Sequence, residues 1–160
     1  QAARLKGDDV KARESFTKLL RNKDTAFLGL RGLLLSALEQ GDHWQARDLA
    51  QQALKLHPSQ PWILRIVYGL ELRQRQWEDS RRMLKRLERY KALPPEKIQS
   101  DRIALLLQEA EELRQTGHDG QALARLKQAW KLDETFVPSA LALARHYLDQ
   151  GNRRAAAQVI

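Results

Sequence analysis

The chain contains no cysteine, so disulfides and thiolate metal sites are excluded while the compartment stays open. No apolar run approaches the roughly 18 residues that a membrane-spanning helix needs, and no secretory h-region opens the sequence. Alternation of apolar and polar residues with period two is nowhere sustained, so no sheet is expected. Aromatic residues make up only 6%, which leaves little stacking surface for nucleic acid. The phosphate loop G-x-x-x-x-G-K-[ST], the dinucleotide pattern G-x-G-x-x-G and the metalloprotease motif H-E-x-x-H are all missing.

What is there is a soluble, foldable composition, 30% charged and 42% apolar, outside the disordered range. The net charge of +8 and pI near 10 point to an acidic protein partner, an anionic membrane surface or nucleic acid. Lysine and arginine are spread over most of the chain, so a solvated, mildly basic exterior accounts for the same balance.

Helical periodicity runs nearly throughout. Leu30, Leu33, Leu34, Ala37 and Leu38 form an i, i+3, i+4, i+7, i+8 stripe, and Ile103, Leu106, Leu107, Ala110 and Leu113 do so in part. A glycine followed five residues later by a small residue punctuates the pattern: Gly7/Ala12, Gly41/Ala46, Gly117/Ala122 and Gly151/Ala156, with Arg75/Ser80 in register. From Gly7 to Gly41, Arg75, Gly117 and Gly151 the steps are 34, 34, 42 and 34 residues. A 34-residue period is that of stacked helix–turn–helix units, which bury a continuous seam between neighbouring hairpins. Glycine reaches the left-handed conformation that closes a helix at little cost, and Pro58, Pro61 and Pro138 fall between units, where proline ends or begins a helix.

The pattern predicts helices over 9–22, 25–40, 43–56, 60–74, 77–91, 95–116, 119–132, 136–150 and 153–160, in an all-α, right-handed α-α superhelix. One solenoid over 1–160 is expected, cut through repeats at both ends, with repeats at about 1–24, 25–58, 59–94, 95–134 and 135–160. The eight-residue excess begins at Pro94-Pro95-Glu96. Pro95 can open a helix, so the excess either lengthens the next helix and exposes one end of it, or forms a loop over 94–102. Ala12, Ala46, Ser80, Ala122 and Ala156 are expected where paired helices cross closely. Phe16, Ala50, Leu84, Leu126 and Ile160 should follow one turn along the same buried face. Trp77, two residues after Arg75, should brace its turn.

These units resemble the tetratricopeptide (TPR) family. Ala12-x3-Phe16 matches its A-x3-F, whereas Leu34, Tyr68, Ala110 and Ala144 stand where the family carries glycine. A narrower resemblance lies in the linking segments: Asp24-Thr25-Ala26-Phe27-Leu28-Gly29-Leu30-Arg31-Gly32-Leu33-Leu34, Gln60-Pro61-Trp62-Ile63-Leu64, and Phe136-Val137-Pro138-Ser139-Ala140-Leu141-Ala142-Leu143-Ala144-Arg145. They are similar to the proteobacterial HemY family of membrane-anchored TPR proteins linked to haem biosynthesis. That resemblance implies a non-enzymatic scaffold at the bacterial inner membrane, docking haem-biosynthetic enzymes. The anchor would lie outside this soluble fragment, and the repeats would be cytoplasmic. Direct haem or porphyrin binding is one alternative, and a TPR peptide adaptor unrelated to haem is another.

The four histidines, His43, His57, His118 and His146, lie in different repeats, and their spacing supports no metal or haem site. His43 and His118 follow hairpin glycines and read as solvated turn residues. The acidic pairs Asp8-Asp9 and Glu111-Glu112 belong to a helix start and an exposed face rather than a catalytic pocket. In the TPR resemblance the first helices line the inner groove. There Arg31, Trp62, Arg65, Arg73, Arg114 and Arg145 are expected to form a partner-binding wall for an acidic or C-terminal segment, with guanidinium forks for carboxylates and an indole for apolar contact. The alternative is that these arginines are solvated or pair with Glu39, Glu71 and Glu111. A second basic set, Arg81, Arg82, Lys85, Arg86 and Arg89, makes a ridge suited to an anionic surface, diluted by Glu78, Asp79 and Glu88. Specific nucleic-acid recognition is not expected.

Overall fold

Three turns, at Gly41, Gly117 and Gly151, close through the same short hydrogen-bond pattern. After the first helix, Gly41 donates its N–H to the Leu38 carbonyl (3.1 Å) and Asp42 to that of Ala37 (2.9 Å). The same pair recurs at Gly117/His118 and Gly151/Asn152, and the three glycines have φ of 72, 77 and 73°. These are left-handed C-terminal caps, in which two otherwise orphaned carbonyls are satisfied. Arg75 takes the same left-handed region with φ 55°, although an L side chain there costs roughly 1–2 kcal/mol. A fourth such cap lies at Lys91, φ 50°, where Lys91 and Ala92 donate to Glu88 and Leu87. The sequence gives no compositional signal for it.

The computed structural model describes residues 2–160. Among them are nine helices and no strand: α1 (Ala2–Leu19), α2 (Ala26–Glu39), α3 (His43–Leu56), α4 (Pro61–Arg73), α5 (Trp77–Arg89), α6 (Pro95–Gln115), α7 (Asp119–Leu132), α8 (Val137–Asp149) and α9 (Arg153–Ala157). The N-terminal amides of α3 and α9 are capped by side chains: Asp42 accepts from the Gln45 N–H and Asn152 from that of Ala155, both at 3.0 Å. Prolines open α4 and α6, where the missing N–H costs nothing.

Three expectations are corrected. The first helix runs unbroken from Ala2 through Gly7, Asp8 and Asp9 to Leu19, so the first register position holds no turn and its acids do not precede a helix. Glycine permits a left-handed turn but does not impose one. Helix α9 stops at Ala157, and Ile160 is 83% exposed rather than on the buried face. The excess at Pro94-Pro95 does lengthen the next helix, α6, to 21 residues, but the end expected to stand exposed is held against its neighbours. Its added first turns are packed, with Ile98 buried and the Gln99 side-chain amide donating to the Leu132 carbonyl at 3.1 Å.

The chain divides into two compact units, Gln1–Gln74 and Arg75–Ile160; the boundary falls inside the expected repeat 59–94. In the first unit α1 packs on α2, α2 on α3 and α3 on α4. The α1–α2 crossing is close because Gly29 and Gly32 offer no side chain: Phe16 lies directly over Gly32. In the second unit α5 to α9 pack successively, and α6 also meets α8. Its core joins Ile103, Leu106 and Ala129 in one cluster and Ala110, Leu126 and Leu143 in another. Across both units the small residues Ala46, Ser80, Ala122 and Ala156 are buried as the register requires. Fully buried leucines such as Leu34, Leu64, Leu87 and Leu143 each contribute about 1.5–3 kcal/mol.

Candidate partner-binding surfaces

In the first unit, the aromatic side chains converge between the starts of α2 and α4. Phe27 meets His57 edge-on with ring centroids 4.2 Å apart and lies 5.9 Å from the Trp62 ring. The Arg31 guanidinium sits over the same indole, 5.5 Å from its centroid. Arg31 remains exposed, so its charge is held by the ring face while its N–H edges stay open, a contact of about 0.5–1 kcal/mol. Leu28 and Leu35, 54% and 43% exposed, flank it at i−3 and i+4, giving α2 an outward stripe of leucine, arginine and leucine. Arg65 and Arg73 are exposed on α4. Arg31 and Arg65 each lie ten residues before their turn, at Gly41 and Arg75, so the wall position repeats within this unit.

In the second unit that register position holds Leu107 and Leu141, ten residues before Gly117 and Gly151. Both line a cleft of about 230 Å³ between α6 and α8, together with Arg114, Arg145 and Asp149. Glu111 faces the cleft and accepts two bonds from Arg114, Nε to Oε2 at 3.1 Å and Nη2 to Oε1 at 2.9 Å. The Arg114 bonds, then that of the Gln115 amide, hold the Glu111 carboxyl below its ordinary value, and Glu111 raises Arg114 in turn. Arg145 adds its field to Glu111 but stays exposed. Leu141 and Leu148, 55% and 53% exposed, bracket Arg145 on α8 as Leu28 and Leu35 bracket Arg31.

The wall arginines therefore differ. Arg31 rests on Trp62 and Arg114 is engaged by Glu111, while Arg65, Arg73 and Arg145 extend into solvent. Phe27 and His57 belong to the α2–α4 platform and were not singled out by the sequence. Phe27 lies in a recognised linking segment, but no spacing places it against Trp62. Glu71 engages none of these arginines. It is buried on α4 and takes two bonds from Arg47 and one from Gln51.

The expected basic ridge on α5 is largely neutralised. Arg81 turns to Glu78 and to the buried Glu109 of α6, and Arg82 pairs with Asp79. Arg81 thereby leaves the ridge, because a buried carboxylate on the next helix offers more than solvent does. Arg125 also approaches Glu109, Nε to Oε2 at 2.9 Å. Glu88, within the ridge, binds Arg102 at 2.8 Å. Lys85 and Arg89 remain exposed and Arg86 half-buried.

The Trp77 indole N–H donates to Glu112 Oε2 at 2.9 Å, which ties the start of α5 to α6. Of the histidines, His118 pairs its Nδ1 with Thr116 Oγ1 at 3.0 Å, as an exposed turn residue. His43 departs from that reading: it is half-buried and its Nδ1 has no partner. His146 is buried in α8. Among the described residues no group of three His, Cys, Asp or Glu is placed to hold a metal, and no helix is long and apolar enough to cross a membrane.

No family model matches the chain, and no curated protein does either. Solved structures do. YrrB, described as a TPR protein with an unusual peptide-binding site, matches with a TM-score of 0.53 and 17% identity, covering 96% of this chain and 75% of its own. The MamA protein matches with a TM-score of 0.51 and 15% identity over 98% of this chain and 81% of that one. MamA 41-end from Desulfovibrio magneticus RS-1 gives 0.50 and 14%, covering 99% and 85%. At such identities the likeness carries the fold, and the fold is an all-α helical repeat of TPR type.

Proposed function

We propose that this chain is a non-enzymatic interaction scaffold whose first helices capture an acidic segment of a partner protein. The observation that carries this reading is Arg31, stacked on Trp62 and flanked by the exposed Leu28 and Leu35. A cation with open N–H edges between two apolar side chains suits a segment that alternates carboxylates with apolar residues. The peptide-binding site named for YrrB supports the same use of a TPR-type fold. The test is fluorescence anisotropy with a labelled acidic peptide bearing a free C-terminus. Saturable binding should weaken at least about tenfold with Arg31→Glu and Arg65→Glu; binding that survives both removes the reading.

The finer assignment is assistance to haem or porphyrin biosynthesis at the bacterial inner membrane. It rests on the resemblance of the three linking segments to the HemY family. Affinity capture from the native membrane should then recover haem-biosynthetic enzymes with the parent chain and lose them with the same two variants. Recovery of other proteins alone would leave the scaffold and remove the haem connection. A second reading, direct tetrapyrrole binding, is favoured by the Phe27–His57–Trp62 platform beside Arg31: an aromatic face for the macrocycle and a cation for its carboxylates. It requires a saturable Soret shift on haem titration that Trp62→Ala or Arg65→Glu abolishes.

A further inference from the structure

Helices α5 and α7 each pack on α6 but not on one another, and between them lies a slot of about 360 Å³. Leu84 and Leu132 form its sides, and Leu105 and Leu106 its floor. The lining is predominantly apolar, and Gln128 is its only uncharged polar residue. A void of this kind holds water poorly and leaves its lining atoms short of dispersion contacts, so an entering apolar group gains both. Its volume falls at the lower end of the range of ligand pockets, roughly 300–1,000 Å³.

The charge around it is of one sign. The lining includes four cations, Arg81, Lys85, Arg102 and Lys131, and no carboxylate. Arg81 and Arg102 already hold Glu109, Glu78 and Glu88. Lys85 on α5 and Lys131 on α7 are exposed and have no ion pair among the described residues. Two free ammonium groups thus stand on opposite walls of an apolar slot.

We propose that this slot is a second docking site, separate from the first-helix wall, which anchors one bulky apolar side chain of an acidic partner segment. The recess admits a protruding side chain, whereas a flat bilayer surface would rest on the helices beside it. Cations on both walls call for carboxylates on both sides of the anchor. A segment with glutamates flanking a Leu, Phe or Trp supplies them, and an amphiphile with a single carboxylate answers only one wall.

The probe is a set of labelled glutamate-rich dodecapeptides with a central Leu, Ile, Met, Phe or Trp, beside an Ala-centred control. At least one should bind with Kd below about 1 mM, shift amide NMR signals in α5, α6 and α7, and lose affinity when its centre is Ala. Lys85→Glu/Lys131→Glu should weaken binding about tenfold and flatten its salt dependence. Gln128→Trp, an exposed change at the slot, should block it, with circular dichroism verifying that each variant folds. Arg31→Glu and Arg65→Glu should leave these shifts in place, which separates this site from the wall. The proposal is overturned if no peptide in the set binds, if the Ala control binds equally well, or if the slot variants are silent. It is equally overturned if anionic phospholipid vesicles bind through Lys85 and Lys131 where the peptides do not.

Discussion

A Cβ at Gly29 would stand 2.6 Å from the main-chain oxygen of Phe16, and one at Gly32 would enter the Phe16 ring. Helix α1 therefore crosses α2 at a distance that only glycine allows. The Phe16 oxygen belongs to a helical backbone and cannot rotate away as a side chain could. Gly29→Ala is expected to destabilise the first unit by about 2 kcal/mol, as overpacking does. Gly69 sits in α4 with nothing within 4 Å of its added Cβ, so Gly69→Ala should stabilise by about 0.5–1 kcal/mol through helix propensity. Opposite shifts of the urea midpoint test the pair.

The Arg47–Glu71 pair invites a thermodynamic cycle. Its two bonds are 3.3 and 3.2 Å long, and the side chains are 31% and 3% exposed. Removing Arg47 leaves a buried carboxylate with Gln51 alone. Arg47→Ala should cost about 2–3 kcal/mol, below the largest buried-pair values because solvent reaches the guanidinium. The double change Arg47→Met/Glu71→Leu should return within about 1 kcal/mol of the parent. Urea unfolding of the three variants measures both.

Ser80 is wholly buried on α5, and its hydroxyl has no hydrogen-bond partner among the described residues. Ala46, Ala122 and Ala156 hold the same register position. Ser80→Ala removes an unsatisfied polar group without opening a cavity larger than one oxygen. A gain of about 1 kcal/mol is expected, seen as a higher melting temperature.

Acid should weaken the Glu111–Arg114 pair that lines the α6–α8 cleft. The Glu111 carboxyl lies below its ordinary value of 4.5, chiefly through the Arg114 hydrogen bonds. A carboxylate depressed by folding contributes stability that is full above its unfolded value. That contribution is lost as pH falls through the lower folded one. The parent and Glu111→Gln should therefore differ by a constant amount above about pH 5 and converge as pH falls below 4.5 and through the lower folded value. Urea midpoints across that range show it.

Much of the helical frame was legible because glycine at a fixed interval announces a left-handed turn before the helix is seen. Arg75 was readable by register alone. Lys91 was not, since nothing in a lysine between Tyr90 and Ala92 marks a left-handed cap. The sequence put Arg31 and Trp62 on one expected wall but did not announce that the guanidinium lies over the indole. Along α5, helix spacing reports which residues share a face, not whether a carboxylate waits on the helix beside it. Arg81 finds Glu109 from 28 residues away, and Arg47 finds Glu71 from 24. No spacing in the sequence marks either glutamate as buried before its partner is placed.

Those two pairs put the energetic unit of this fold out of phase with its covalent one. The chain repeats as hairpins closed at Gly41, Gly117 and Gly151. Its buried charges also cross the links between hairpins, Arg47 of α3 to Glu71 of α4 and Arg81 of α5 to Glu109 of α6, while Arg125 of α7 reaches the same Glu109. A cut between α3 and α4, a natural seam of a modular array, would strand Glu71, whereas one between α5 and α6 would leave Glu109 with Arg125 alone. Shortening or splicing the first unit should therefore succeed at the Gly41 turn sooner than between α3 and α4, since only the former leaves Glu71 with Arg47.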